Sequence, residues 1–342
     1  MLKRILTALT AALTLFSTAS AASIAVNFEG VAALIDESGA EYVAPGTYDF
    51  IFALDKEGAL FCGGGGVVNG EYCYALLNAQ GEPLTQQAYA MFSQQGEAII
   101  FTKDGLYGAM DLNGEILVEP VYTQLVANGE GGFVGLTTDC FDEEADGLYL
   151  VDAQGGQTAT GVRTTGMLDE FSGGLMPLMS AQNNLYGYID TSGQWAVRPQ
   201  FAYAGSFSGE RAAASLSTGY GLIDNTGNWV ITPKYDELTC LEGELVFAVD
   251  AGQTAIGFDP ETLEERFTIE LSGAYAAAFG GLVCIYDEDA PARLYDYDGR
   301  LIYESTPLAT YAAGLCGQTI LTDGEWGEAC CRLIGQDGAL VG

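Results

Sequence analysis

The chain has 342 residues, and 46 acidic side chains against 12 basic ones leave a formal charge of −34 with no histidine anywhere. A field of that sign repels nucleic acid and anionic wall or membrane surfaces, and favours cations and basic partners. Apolar content of 49% with dispersed acids is ample for a core and excludes a disordered chain.

The first element is a targeting segment. Lys3 and Arg4 form a basic start, Ile5 to Phe16 an apolar stretch, and Ala19-Ser20-Ala21 a run of small residues suited to signal peptidase. The apolar stretch is short of the roughly 20 residues that span a bilayer. Residues 1–22 are therefore expected to be a signal peptide, with the mature chain starting near Ala22 or Ser23 outside the cytoplasm. No cysteine follows the apolar stretch directly, so a lipid anchor is not indicated, and no later segment reads as a membrane span.

Eight cysteines in an exported chain allow up to four disulfides, of which one or two are expected. Cys62 and Cys73 flank Gly63–Gly66, which reads as a flexible hairpin tip, so a cross-strand bond between them is a candidate. Cys284 lies in Leu282-Val283-Cys284-Ile285-Tyr286 and reads as a small core hydrophobe. Cys330 and Cys331 are neighbours that a strand would point to opposite faces.

Beyond the leader the chain repeats. Tyr107-Gly108-Ala109-Met110-Asp111 is followed by Gly114, Ile116, Val118, Pro120 and Tyr122. The order returns in Tyr186-Gly187-Tyr188-Ile189-Asp190 with Gly193, Trp195, Val197, Pro199 and Phe201. It returns again in Tyr220-Gly221-Leu222-Ile223-Asp224 with Gly227, Trp229, Ile231, Pro233 and Tyr235. Weaker copies keep the turn alone: Asp36 with Gly39, Asn78 with Gly81, Asp152 with Gly155, and Asp296 with Gly299. Asp259 has Thr262 where glycine is expected, and Ile334 to Gly338 is a partial last copy. The nine turn marks recur about every 37 residues, a spacing typical of repeat arrays and propeller blades.

Each unit predicts a strand rich in aromatic and β-branched residues, then a tight Asp-x-x-Gly turn and a returning strand. Proline has no amide to donate, so the returning strand must end there or lie at a sheet edge. Phe171-Ser172-Gly173-Gly174-Leu175 and Phe207-Ser208-Gly209-Glu210 predict a second turn before a further strand. Three or four strands per repeat and no helix follow.

These motifs resemble the WG-repeat (KWG-repeat) family of bacterial proteins, with tyrosine in place of the naming tryptophan at Tyr107, Tyr186 and Tyr220; only Trp326-Gly327 keeps the literal pair. The resemblance implies a repeated β architecture and carries no shared catalytic residues. The expected fold is all-β: residues 23–342 as one domain of about eight repeats closing into a seven- or eight-bladed β-propeller. An open β-solenoid or hairpin array is the alternative.

The absence of histidine removes Ser-His-Asp and Cys-His systems and every His-containing metal site. Gly205-Ser206-Phe207-Ser208-Gly209 is no nucleophile elbow, and Gly63–Gly66 lacks the Lys-Ser/Thr of a phosphate-binding loop. Two acidic clusters, Asp139 to Asp146 and Asp287-Glu288-Asp289, do not match a calcium loop. No catalytic, metal or cofactor residue is therefore assigned, and the chain is expected not to be an enzyme. Nineteen tyrosines and 16 phenylalanines, many at repeat positions, are the remaining signal. They suit a secreted, monomeric interaction module that engages an extracellular protein or glycan. A hydrolase working with two carboxylates and a structural envelope component are the alternatives.

Overall fold

A computed structural model describes residues 23–28, 31–36, 38–55, 58–137, 147–241, 243–279, 281–287, 290–304, 311–315, 318–323 and 330–335. The expected leader, the acidic cluster at Asp139 to Asp146, Glu288-Asp289, and Trp326-Gly327 lie outside them.

The described residues form nine antiparallel sheets and no helix. The first sheet is β1 Ile24–Phe28, β2 Val31–Ile35 and β3 Glu41–Val43. The second is β4 Phe50–Ala53, β5 Leu60–Val68 and β6 Glu71–Asn78; the third is β7 Met91–Gln95, β8 Ala98–Lys103, β9 Leu106–Asp111 and β10 Ile116–Tyr122. The fourth is β11 Gln124–Ala127, β12 Phe133–Leu136, β13 Tyr149–Val151 and β14 Gln157–Ala159. Then follow β15 Leu175–Met179, β16 Tyr186–Asp190 and β17 Trp195–Phe201, and a sixth sheet of β18 Tyr203–Ala204, β19 Arg211–Leu216, β20 Gly219–Asp224 and β21 Trp229–Tyr235. The seventh is β22 Glu237–Leu241, β23 Leu245–Asp250, β24 Thr254–Phe258 and β25 Glu265–Glu270. The eighth is β26 Tyr275–Phe279, β27 Leu282–Asp287, β28 Ala290–Asp296 and β29 Leu301–Glu304. The last is β30 Tyr311–Leu315, β31 Gln318–Asp323 and β32 Cys330–Gly335, in which Cys330 and Cys331 are consecutive.

Within every sheet each strand pairs with its sequence neighbour, the meander of a propeller blade. The sheets number nine, as do the turn marks, where the mean period pointed to about eight repeats; the first and last sheets are three-stranded. The chain comprises two compact units, residues 1–161 and 162–342.

In each unit the core lies between consecutive sheets. In the first unit, Leu60, Cys62 and Leu76 pack on Phe92, Ile99, Phe101 and Met110. In the second, Leu175, Tyr188, Val197 and Phe201 pack on Ala212, Ala214 and Ile223. The middle strands are thus covered on both faces, and β16 and β20 are buried through three successive residues instead of alternating. The edge strands alternate, as β17 does.

The Asp-x-x-Gly turn is one device used repeatedly. In residues 224–228 the Asp224 amide donates to the Asn228 carbonyl, and the Gly227 amide donates to the Asp224 carbonyl. The Asp224 carboxylate accepts the amides of Thr226 at 2.9 Å and Asn228 at 3.0 Å, with the Thr226 hydroxyl at 2.6 Å. Asp36, Asn78, Asp111, Asp152, Asp190 and Asp296 accept the equivalent pair of amides. The side chain satisfies turn donors that the ladder leaves free. At Asp259 the turn is one residue longer: its amide donates to Glu264, and Leu263 takes the positive φ of 60°. That explains Thr262 where the repeat has glycine. Asn128 builds the same turn with Glu130 and Gly132 between β11 and β12.

Tyr-Gly and Val-x-Pro-x-Tyr prove to be two halves of one contact. Tyr220 pairs with Tyr235 and Leu222 with Ile231, so Gly221 alone faces Thr232, Pro233 and Lys234 on β21. The same bulge sets Gly187 opposite Arg198 to Gln200 and Gly108 opposite Glu119 to Val121. A Cβ on Gly221 would lie 2.4 Å from the Ile231 carbonyl oxygen; on Gly187, 2.4 Å from that of Val197. Glycine is required because backbone occupies the space of its side chain. Each proline sits in the bulge of an outermost strand, as its missing amide demands.

Two expectations are corrected. Gly63–Gly66 is no hairpin tip: it lies inside β5, and the turn is Asn69-Gly70, with φ of 52° and 89°. The glycines make room for rings, since a Cβ on Gly64 would meet Tyr74 at 2.7 Å and Tyr72 at 2.8 Å. Cys62 and Cys73 are both free. Cys62 pairs with Leu76 and Gly64 with Tyr74, which puts Cys73 on the opposite face of the hairpin from Cys62. Cys284 is a buried core residue packed with Leu282, Ala292 and Leu294, as expected.

Candidate functional site

Burial separates the tyrosines. Tyr122, Tyr188 and Tyr235 are core, and the Tyr188 hydroxyl donates to the Gly205 carbonyl at 2.7 Å. Others gather in exposed sets that differ in what their rings touch.

In the second unit, Tyr203, Ser215, Tyr220 and Tyr235 form one row across β18, β19, β20 and β21. Residues paired in this way share a face. Ser215 is small and buried, so the Tyr203 and Tyr220 rings meet over it, 5.7 Å apart and inclined at 60°. Tyr186, at the start of β16 in the preceding sheet, brings its ring within 6.2 Å of Tyr203. Tyr186 and Tyr220 hold the same repeat position, and Tyr203 joins them into a strip of three.

Tyr203 is 44% exposed. Among the described residues, no hydrogen bond engages the phenol of Tyr186, Tyr203 or Tyr220. Burial first, then Tyr220, Asp169 and Tyr186, raise the Tyr203 phenol above its ordinary range. The Tyr203 phenol is therefore a neutral donor and acceptor at physiological pH. Beside the strip, the Ser206 hydroxyl donates to the Asp169 carboxylate at 2.9 Å and ties that loop to the segment carrying Tyr203. Ring faces, free hydroxyls and an exposed carboxylate stand together.

The remaining candidates are already satisfied internally. In the first unit a cavity of about 410 Å³ is lined by Ser23, Asn27, Asp55 and apolar neighbours. Asn27 exchanges both amide bonds with the Ile51 backbone, Asp55 accepts the amides of Ala59 and Leu60, and Ser23 donates to the Ala79 carbonyl. Phe50, Phe52, Tyr74 and Tyr72 form a chain of contacts at 5.3 to 5.8 Å, but Tyr72 and Tyr74 lie down on Gly64. Tyr275 and Tyr286 stack on each other at 5.5 Å and 23°, which covers one face of each ring. No group of three metal-ligating side chains occurs among the described residues. No helix among them is long and apolar enough to cross a membrane.

Three segments match the WG-containing repeat: 107–134, 186–216 and 220–249. These three segments are WG repeats. Two of the three strip tyrosines open the second and third of them, and Tyr203 lies inside the second. No protein of curated function matches the chain.

Several solved structures are similar to this chain. A eukaryotic initiation factor superposes with a TM-score of 0.56 at 11% identity, over 83% of this chain and 85% of that one. BamB from Moraxella catarrhalis gives 0.42 at 12% identity over 74% and 86%. AztD from Citrobacter koseri gives 0.39 at 14% identity over 94% and 93%. The WG repeats of this chain thus belong to an all-β protein of the β-propeller class. At such identities the likeness concerns fold alone.

The repeat signal pointed to Tyr186 and Tyr220. Tyr203 was missed: it lies outside the repeated Tyr-Gly motif and reaches the strip only through pairing with Ser215.

Proposed function

We propose that this chain is an exported, non-catalytic binding module that engages a glycan through Tyr186, Tyr203 and Tyr220. The observation that carries the proposal is the contiguity of three partly exposed rings whose phenols make no hydrogen bond among the described residues. Sugar rings present apolar C–H faces edged by hydroxyls, and a strip of phenols offers both complements. Export is supported by Lys3-Arg4, the apolar stretch to Phe16 and Ala19-Ser20-Ala21. Binding without turnover is supported by the carboxylates themselves. Among the described residues, the carboxylates with displaced pKa values, Asp36, Asp111, Asp224 and Asp259, all move down. A glycosidase's general acid needs the opposite shift.

Calorimetric titration of the mature protein with defined oligosaccharides, with reducing ends monitored in parallel, tests this. Binding weakened about tenfold by Tyr203→Ala, with no new reducing ends, is the expected result, from about 1.4 kcal/mol for loss of an aromatic contact. Accumulating reducing ends would replace the module with a hydrolase. Unchanged affinity in Tyr203→Ala would remove the strip.

A further inference from the structure

We propose that the tyrosine strip selects a cationic glycan, an oligomer of amino sugars with free amines, over neutral or anionic ones. This rests on the strip being a glycan site and adds the charge of its ligand. Tyrosine rings present electron-rich faces that attract ammonium groups within about 6 Å. The three rings are adjacent, and Tyr203 is the most open of them. Asp169 stands beside this strip, held by the Ser206 hydroxyl on one oxygen and by the Glu170 amide at 2.8 Å on the other. Each carboxylate oxygen keeps a lone pair for a ligand, and the side chain is exposed. The hydrogen bond to Ser206, three residues beyond Tyr203, fixes the charge at the edge of the aromatic surface.

The rest of the chain reinforces the choice. A formal charge of −34 raises the local concentration of cations and repels polyuronates. A neutral sugar would gain from the rings alone. An amino sugar gains ring contact, the ammonium–π attraction and a carboxylate partner at one place.

The probes are the glucosamine hexamer, the N-acetylglucosamine hexamer and the galacturonate hexamer, titrated in mildly acidic buffer where free amines are protonated. The first two share a backbone and differ in the acyl group and the charge. The mature protein should bind the amine oligomer at least about tenfold more tightly than the acetylated one, and should not bind the uronate. Asp169→Asn should shrink the amine-to-acetyl ratio to within about twofold. Asp298→Asn, which removes the same charge from the turn of another sheet, should leave the ratio unchanged.

Equal affinity of the wild type for the amine and acetyl oligomers would overturn the charge selection while leaving glycan binding standing. Equal effects of Asp169→Asn and Asp298→Asn would show that diffuse charge, and no positioned carboxylate, attracts the amines. Binding of every oligomer unaltered by Tyr203→Ala would overturn the site itself.

Discussion

Replacing Gly221 with alanine tests the account of the repeat most sharply, because two physical effects predict opposite signs. In a strand, alanine restricts the unfolded chain more than glycine does, which stabilises by about 0.4–1 kcal/mol where the backbone fits. The φ of Gly221 is not positive, so its backbone accepts alanine. Against this, the new methyl would lie 2.4 Å from the Ile231 carbonyl oxygen, 2.9 Å from the Pro233 nitrogen and 2.9 Å from the Trp229 ring. A carbon–oxygen contact normally stays beyond about 3.2 Å, so the overlap is close to 1 Å and falls on backbone that carries a proline. Relieving it means displacing the bulge of β21, an overpacking cost of about 1–3 kcal/mol or more. A net loss of about 2 kcal/mol is expected, or roughly 4–8 °C in the melting of a unit of this size.

Gly205→Ala is the control in the same unit, since its Cβ would make only ordinary contacts from 3.4 Å outward. Calorimetric melting of the two variants beside wild type decides the matter. Gly205→Ala should melt within a degree or two of wild type or slightly above it. A Gly221→Ala protein with unchanged or raised melting temperature would refute the steric account of the Tyr-Gly motif.

Asp224→Ala should cost about 1 kcal/mol by orphaning the amides of Thr226 and Asn228, and Asp224→Asn distinctly less, as Asn78 shows by building the same turn; denaturant unfolding of both checks the order. Acid should destabilise the fold. The Ser38 hydroxyl holds Asp36 below the usual carboxylate range, the Thr226 hydroxyl holds Asp224 there, and the Thr262 amide with Arg266 does the same for Asp259. Groups lowered on folding stabilise above their unfolded pKa near 4 and lose that contribution as pH falls through the folded value. Melting temperature should therefore drop between about pH 4 and pH 2, and less steeply in Asp224→Asn; identical slopes would refute this. Burial pushes the thiols of Cys62 and Cys284 up to about 12, so both should resist iodoacetamide in the native protein and react once unfolded, read by mass spectrometry. Processing should leave Ser23 on the mature chain, because its buried hydroxyl holds the Ala79 carbonyl; an N-terminal sequence starting at Ile24 or later would contradict that.

The sequence by itself determined what is local. Asp-x-x-Gly reads as a turn because the carboxylate reaches amides two and four residues on, whatever the chain does elsewhere. The strands on either side, the edge position of Pro120, Pro199 and Pro233, and the absence of histidine chemistry follow from short windows. The turn at Asn128 carries the same Asn-x-x-Gly signal, but it falls between the marks at 111 and 152, out of step with the period of the repeat. Register is not local. Only tertiary structure placed the turn after Gly63–Gly66 at Asn69, put Cys62 and Cys73 on opposite faces, and set Gly221 against a bulge two residues longer than itself. Tyr203 belongs with Tyr186 and Tyr220 because a two-residue strand pairs with Ser215 and because consecutive sheets pack face to face. The tyrosine strip depends on two ring contacts, each between residues 17 positions apart, and no periodicity within a repeat encodes which rings will meet.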